Sequence, residues 1–448
     1  MHTNIFMKKL IPLFFLFFCT FPILGQDGFQ FANNADKVVV PFKFINNLIF
    51  IPIKVNGIEL NFLLDTGFEE TILFSLDDKK EMTFLDVEKI SLRGLGGDDS
   101  IEGLKSNNNT LSIGNVVSKN QLLYIVLDQG FNLSSHVGIP VNGIIGYNFF
   151  KSNLIEINYD KKKVIIYKDT TINRKKIEKK YTEVAITIER SKPYVWSSAV
   201  INNLKIPTKL LVDIGNSDAI WLFPNSSKSI LIPSKNFEDY LGKGFSGDVE
   251  GKRARISNFK FFDYEFDNPV VSFPDLGSIK NVKMVPDRAG SVGSEILKRF
   301  SIVFDYGNQK MYLKKSGSFE LPFNYNRSGI ELQHYGLQWV QATVHLETVV
   351  IVGESLDTKG KSTDNNFKYK FELKPIYSIS YVRPNSPASV AGLEKGDIII
   401  EINNNSAYNF SLQRINSLLK SEDEKWITLE IERDNKRLKF KIQLLDVL

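Results

Sequence analysis

The chain has almost no thiol and little imidazole. Cys19 is its one cysteine in 448 residues, and there are four histidines. Cys19 lies in an apolar N-terminal stretch, so a chain cleaved after it has neither a disulfide nor a thiol nucleophile. Its cores must then hold by packing alone. A zinc hydrolase needs gathered imidazole or thiolate ligands, and no His-Glu-x-x-His pattern occurs. No metal or other cofactor is therefore expected. A serine triad needs a histidine base, and there is no Gly-x-Ser-x-Gly elbow. An excess of one charge is also lacking. The formal charge is +5, with no basic stripe along one face, which argues against a nucleic-acid partner. What remains for hydrolysis is carboxylate chemistry.

With 43% hydrophobic and 24% charged residues, the composition is that of a globular protein with two or three domains. The N-terminus reads as a signal peptide over residues 1–25. Lys8 and Lys9 supply the positive start. The apolar residues 10–24 are interrupted by Pro12 and Pro22 and are too short for a comfortable membrane span. Gly25 suits the cleavage site. Phe18 stands before Cys19, where a lipidated cysteine normally has a small residue. The expectation is export to the periplasm or cell envelope of a Gram-negative bacterium, with secretion or an uncleaved anchor as alternatives. No integral membrane span is expected beyond the signal.

A long internal repeat organises the middle of the chain. Phe62-Leu63-Leu64 leads into Asp65-Thr66-Gly67. Leu210-Leu211-Val212 leads into Asp213-Ile214-Gly215, 148 residues on (213 less 65). Further along, Ile144-Ile145-Gly146 finds its counterpart in Ser291-Val292-Gly293, 147 residues on (293 less 146). Each half begins with alternating strands joined by a turn at Asn56-Gly57 or Asn202-Asn203, so each aspartate is delivered by the second strand of a hairpin. The halves are expected over 38–168 and 183–315. Residues 169–182, with the basic run Arg174-Lys175-Lys176, read as a solvated linker.

A carboxylate at the end of a wholly apolar strand is costly to ionise unless paired or hydrogen-bonded. Read alone, Asp-x-Gly is an ordinary turn. Two copies at matched positions can meet in one cleft, where adjacent carboxyls share a proton. One then activates water while the other polarises a carbonyl.

These motifs resemble the retropepsin-like and pepsin-like aspartic proteases. The resemblance covers roughly residues 38–315. It implies a mainly β fold of two tandem β-barrel lobes flanking a cleft. It implies Asp65 and Asp213 as the catalytic pair, supported by Thr66, Gly67, Gly215 and Ser217. It also implies Gly-rich flaps, for which Gly94, Gly96 and Gly97 in one half and Gly244 and Gly247 in the other are candidates; either segment also reads as a plain loop. Because both aspartates lie in one chain, a monomer is the expected catalytic unit. The family usually has threonine after each aspartate, and Ile214 departs from this, as does Phe68-Glu69 after Gly67.

Near the C-terminus, Ser386-Pro387-Ala388, Ala391-Gly392-Leu393 and Gly396-Asp397-Ile398-Ile399 resemble the PDZ domains of exported bacterial proteases. Ser386 suits a helix cap, with proline in the first turn. The domain is expected over 322–445, with a charged insertion around 353–370. Its groove strand is expected over 376–382, including Ile376, Tyr377, Ser378 and Ile379. A PDZ domain binds extended peptides beside a sheet edge; acting only as an internal brace is the alternative. The combined expectation is an exported endopeptidase whose PDZ domain positions protein or peptide substrates. A pseudoprotease or adaptor, binding through its cleft and PDZ domain, is the competing reading.

Overall fold

The structure is a computed structural model that describes residues 28–74, 82–92, 101–126, 132–224, 226–244, 247–280, 282–345 and 367–448. The expected signal peptide over 1–25 lies outside them, as do Gly94, Gly96, Gly97 and most of the expected 353–370 insertion. No helix among the described residues is long and apolar enough to cross a membrane.

The two halves fold along the same path. Leu48–Val55 and Ile58–Leu64 form the first hairpin; Lys192–Ile201 and Leu204–Asp213 form the second. Both turns need positive φ at two successive residues. Asn56 and Gly57 provide it in one, Asn202 and Asn203 in the other. A later segment then pairs parallel to the aspartate-bearing strand. Gly143–Ile145 lies beside Phe62, Leu63 and Leu64, and Arg288–Gly293 runs beside the strand ending at Asp213. Short strands, Ile72–Leu73 and Ile220–Leu222, flank these segments antiparallel. A long-range parallel pairing thus sits under each aspartate turn.

The lobes are joined by a six-stranded sheet drawn from both halves. Leu154–Asn158 and Phe300–Asp305 pair antiparallel at its centre, with Ile155 opposite Phe304 and Ile157 opposite Ile302. All four of these side chains are buried in one apolar core that runs through both lobes. Phe150 packs edge-on to Phe304, with ring centroids 5.2 Å apart, and stacks on Tyr306 at 5.3 Å. The 169–182 segment is not merely a solvated connection. Thr170 caps the helix Thr171–Glu178, Ile177 is buried, and Arg174 forms ion pairs with Asp169 and Asp305.

The C-terminal domain has a separate core. Its strands run in the order Ile330–His345, Phe367–Val382, Ile398–Ile402, Trp426–Arg433, Lys436–Gln443. Ser386 caps the helix Pro387–Ala391 by accepting the amide of Ser389. The arrangement is mainly β: two lobes and a C-terminal PDZ-type domain.

That domain is tied to both lobes. Arg383 lies 3.7 Å from Asp239 and over the Phe237 ring, 4.1 Å from its centroid. Gln413 donates to the Phe44 carbonyl at 3.2 Å. Gly138, at the end of the helix Leu133–Val137, is wedged against His334 and Leu412, where an added Cβ would lie 3.0 Å from one and 3.2 Å from the other.

Candidate active site

Each aspartate sits in a turn stabilised by its own carboxylate. The Gly67 amide donates to Asp65 Oδ1 at 2.7 Å, and the Gly215 amide to Asp213 Oδ1 at 3.0 Å. The glycines also face the opposite lobe. A Cβ on Gly67 would lie 3.0 Å from Asp213 Oδ1, and one on Gly215 only 2.1 Å from Asp65 Cγ. Side chains are excluded here because each turn is covered by the other turn's carboxyl. The hydrophobic-glycine elements work similarly: a Cβ on Gly146 or Gly293 would strike the Phe68 or Asp218 carbonyl at 2.0 or 2.3 Å.

The two carboxyls hydrogen-bond to each other, so together they hold a proton. Burial, followed by the charge of Asp213, holds Asp65 well above the usual carboxylate range. Burial also raises Asp213, but Arg288, the hydrogen bond from Asp65, the Gly215 amide and Lys192 counter it. The two carboxyls thus differ in surroundings, with nearby cations acting more strongly on Asp213 than on Asp65. Burial in apolar surroundings that include Ile214 remains the largest influence on Asp213, and the two nearby cations only moderate it.

One threonine braces both turns. Thr66 Oγ1 donates to the Val212 carbonyl at 2.7 Å and accepts the Ile214 amide at 3.0 Å. Ile214 is wholly buried in the shared core, and its carbonyl accepts a hydrogen bond from Ser294 Oγ at 3.0 Å. Ser217 lines the cleft. Among the described residues it makes no hydrogen bond to either aspartate; its carbonyl accepts from Asn47 of the first lobe at 2.9 Å.

Above the dyad is an open cavity of about 1120 Å³. The hairpin of Asn236–Gly244 and Gly247–Arg255 forms part of its wall through Leu241, Gly242, Lys243, Gly244 and Val249. Gly244 and Gly247 pair across its tip. Arg253 anchors this hairpin to the second aspartate turn, 2.8 Å from Asp218. In the first lobe, Ile90, Ser91 and Leu92 line the opposite wall, next to the candidate flap glycines that lie outside the described residues.

Residues 51–149 match the aspartyl protease family model, and residues 378–433 match the PDZ domain model. The chain carries an aspartyl protease domain and a PDZ domain. A solved structure similar to it is the aspartic proteinase from Irpex lacteus, at 14% identity and TM-score 0.41, covering 64% of this chain and 99% of that one. No curated protein matches.

In the PDZ domain the expected groove strand needs correction. Ile376, Tyr377, Ser378 and Ile379 lie on an interior strand with partners on both sides. Ile376 pairs with Gly336 and Ile379 with Leu332 on one side; Tyr377 pairs with Ile399 and Ser378 with Ile398 on the other. A peptide cannot add to a strand whose amides and carbonyls are already taken. The edge strand on the side of the helix Leu412–Leu419 is Ile330–His345, and this is where Gly138 of the first lobe is wedged.

Two site residues had no local motif to mark them, Lys192 and Arg288. Both line the cleft. Strand register shows their significance. Phe50 faces Leu63 as Tyr194 faces Leu211, so Lys192 occupies the position that Leu48 holds in the first lobe. Counting back five residues from Gly293 and Gly146, Arg288 corresponds to Val141.

Proposed function

We propose that the chain is an exported aspartic endopeptidase that hydrolyses peptide bonds with a water activated between Asp65 and Asp213. The observation that carries this reading is the meeting of two Asp-x-Gly turns, each glycine packed against the other turn's carboxyl, beneath an open cleft. Ionised Asp213 takes a proton from the water as its oxygen attacks the scissile carbonyl. Protonated Asp65 donates to that carbonyl oxygen. The tetrahedral intermediate collapses when the leaving nitrogen receives the proton held by Asp213 and a hydroxyl of the intermediate returns its proton to Asp65, which restores the starting pair. No residue outside the dyad needs to move a proton. The pattern around Lys8 to Gly25 supports export. The PDZ domain supports a role in positioning protein or peptide substrates, because the first-lobe helix it touches also contributes Leu133 to the cleft.

The test is incubation of the purified chain with a mixed peptide library across pH, read by mass spectrometry. Turnover should fall at low pH as Asp213 gains a proton and at high pH as Asp65 loses one. Asp65→Asn and Asp213→Asn should each lower turnover by ~10²–10⁴-fold or more. Mixing the two variants should restore nothing. Undiminished cleavage by either variant would overturn the dyad, and restoration on mixing would show a site shared between chains.

A further inference from the structure

The two walls of the cleft differ in chemistry. The first lobe presents Leu48, Leu63, Ile72 and Ile144. The matching wall of the second lobe presents Lys192, Leu211, Trp221 and Ser291, with Arg288 at its edge. The strand register makes these like-for-like positions, so a leucine is replaced by a lysine and an isoleucine by a serine.

Lys192 and Arg288 are half-buried, and among the described residues neither makes a salt bridge. Arg288 Nε donates to the Gly290 carbonyl at 3.1 Å, and its guanidinium lies 5.3 Å from the Phe223 ring centroid. The rest of its donor fork is left for another partner. Burial lowers the proton affinity of both groups, and Arg288 lowers that of Lys192 further. Two like charges held together below a surface are unfavourable unless an anion joins them. The dyad supplies one negative charge, and Glu69 of the first lobe, which also lines the cleft, attracts Lys192. The dyad's charge is shared between the two cations and Glu69 acts on Lys192, so Arg288 in particular has room for a further anion.

We propose that the second-lobe wall selects a substrate with an acidic side chain beside the scissile bond, received by Lys192 and Arg288, while the first-lobe wall holds an apolar residue on the other side. This rests on the endopeptidase reading and names its substrate class. A planar guanidinium fork and an ammonium suit a carboxylate, whereas a neutral amide of the same shape would add no negative charge to them.

The experiment uses peptides with blocked termini that differ only in Glu or Gln next to a leucine, at about pH 6, where a free glutamate is ionised. Wild type should cleave the Glu peptide roughly 10- to 100-fold better in kcat/KM. Lys192→Gln and Arg288→Gln should bring the ratio toward one, while Lys192→Arg and Arg288→Lys should keep most of it. A ratio near one in wild type would overturn the proposal. So would an unchanged ratio in both Gln variants with a shifted acid limb of the pH profile, since the cations would then serve the dyad alone. Binding of the same peptides to Asp65→Asn, read by fluorescence anisotropy, separates the two readings. Preferential binding of the Glu peptide with no cleavage by wild type would sink hydrolysis but leave the selectivity. Equal binding would sink the selectivity.

Discussion

The lobe built around Asp65 and the lobe built around Asp213 share hairpins, parallel pairings and glycine turns, yet differ where they touch the chemistry. The Asp65 turn carries Thr66, which bonds to both sides of the opposite turn. The Asp213 turn carries Ile214, which packs and makes no side-chain hydrogen bond. At matching strand positions the first-lobe wall has Leu48 and Ile144 where the second has Lys192 and Ser291, and two cations, Lys192 and Arg288, act on Asp213. A carboxyl pair that divides acid and base duties needs unequal members. Here the backbone provides symmetry so that the carboxyls meet, and the side chains remove it so that they differ.

The largest test of that comparison exchanges glycine for alanine. Gly215→Ala would drive a Cβ into the Asp65 carboxyl at 2.1 Å, closer than any real Cβ contact. Displacing a reacting group by about 1 Å costs on the order of 10²-fold, so turnover should fall by at least that much. Gly67→Ala meets Asp213 Oδ1 at 3.0 Å, which a small movement can relieve. Its loss should stay within about 10-fold. Equal losses in steady-state kcat would mean that the turns are not packed as unequally as these distances require.

A smaller effect is expected from Thr66→Val. It keeps the shape but strips the Val212 carbonyl and the Ile214 amide of their partner. Each unsatisfied buried group costs about 1–3 kcal/mol. Chemical denaturation should show a loss of roughly 2–6 kcal/mol, with turnover falling as the two aspartates lose alignment. Unchanged stability would mean that the brace contributes nothing and that the lobes are held by their joint sheet alone.

Much of this comparison was legible in the sequence because it is local or periodic. The repeat, the Asn-led hairpin turns, the glycine after each aspartate and the Ser386 cap all depend on neighbours within a few residues. What was illegible depends on pairing at long range. Residues 376–379 carry no local mark of whether their strand is an edge, and only their register with residues 332–336 and 398–399 shows that both sides are occupied. The basic run after Asp169 resembled a solvated connection because Asp305, which pairs with Arg174, is 131 residues away. Lys192 and Arg288 are isolated cations in sequence. They stand out only when the hairpins are superposed by strand partner, since the offset there differs from the 148 residues that relate the aspartates.

The smallest expected effect, and the one that bears most directly on the missing second brace, comes from Ile214→Thr. By the pseudo-two-fold relation of the turns, a hydroxyl at 214 would face the Leu64 carbonyl as that of Thr66 faces Val212. A hydrogen bond there is worth about 0.5–1.5 kcal/mol. Against it stands the loss of buried apolar volume from a side chain with no exposure, about 0.5–1.5 kcal/mol for removing one methyl-sized group. The two nearly cancel, so the melting temperature should move by only a few degrees and turnover should stay within a few-fold. The acid limb of the pH–rate profile should move down, because a polar group replaces an apolar one beside Asp213 and its ionised form is better solvated. Profiles of both proteins on one peptide decide the matter. A loss of activity as large as that of Gly215→Ala would show that Ile214 is required by the site, and that a single-threonine brace is a working arrangement of its own.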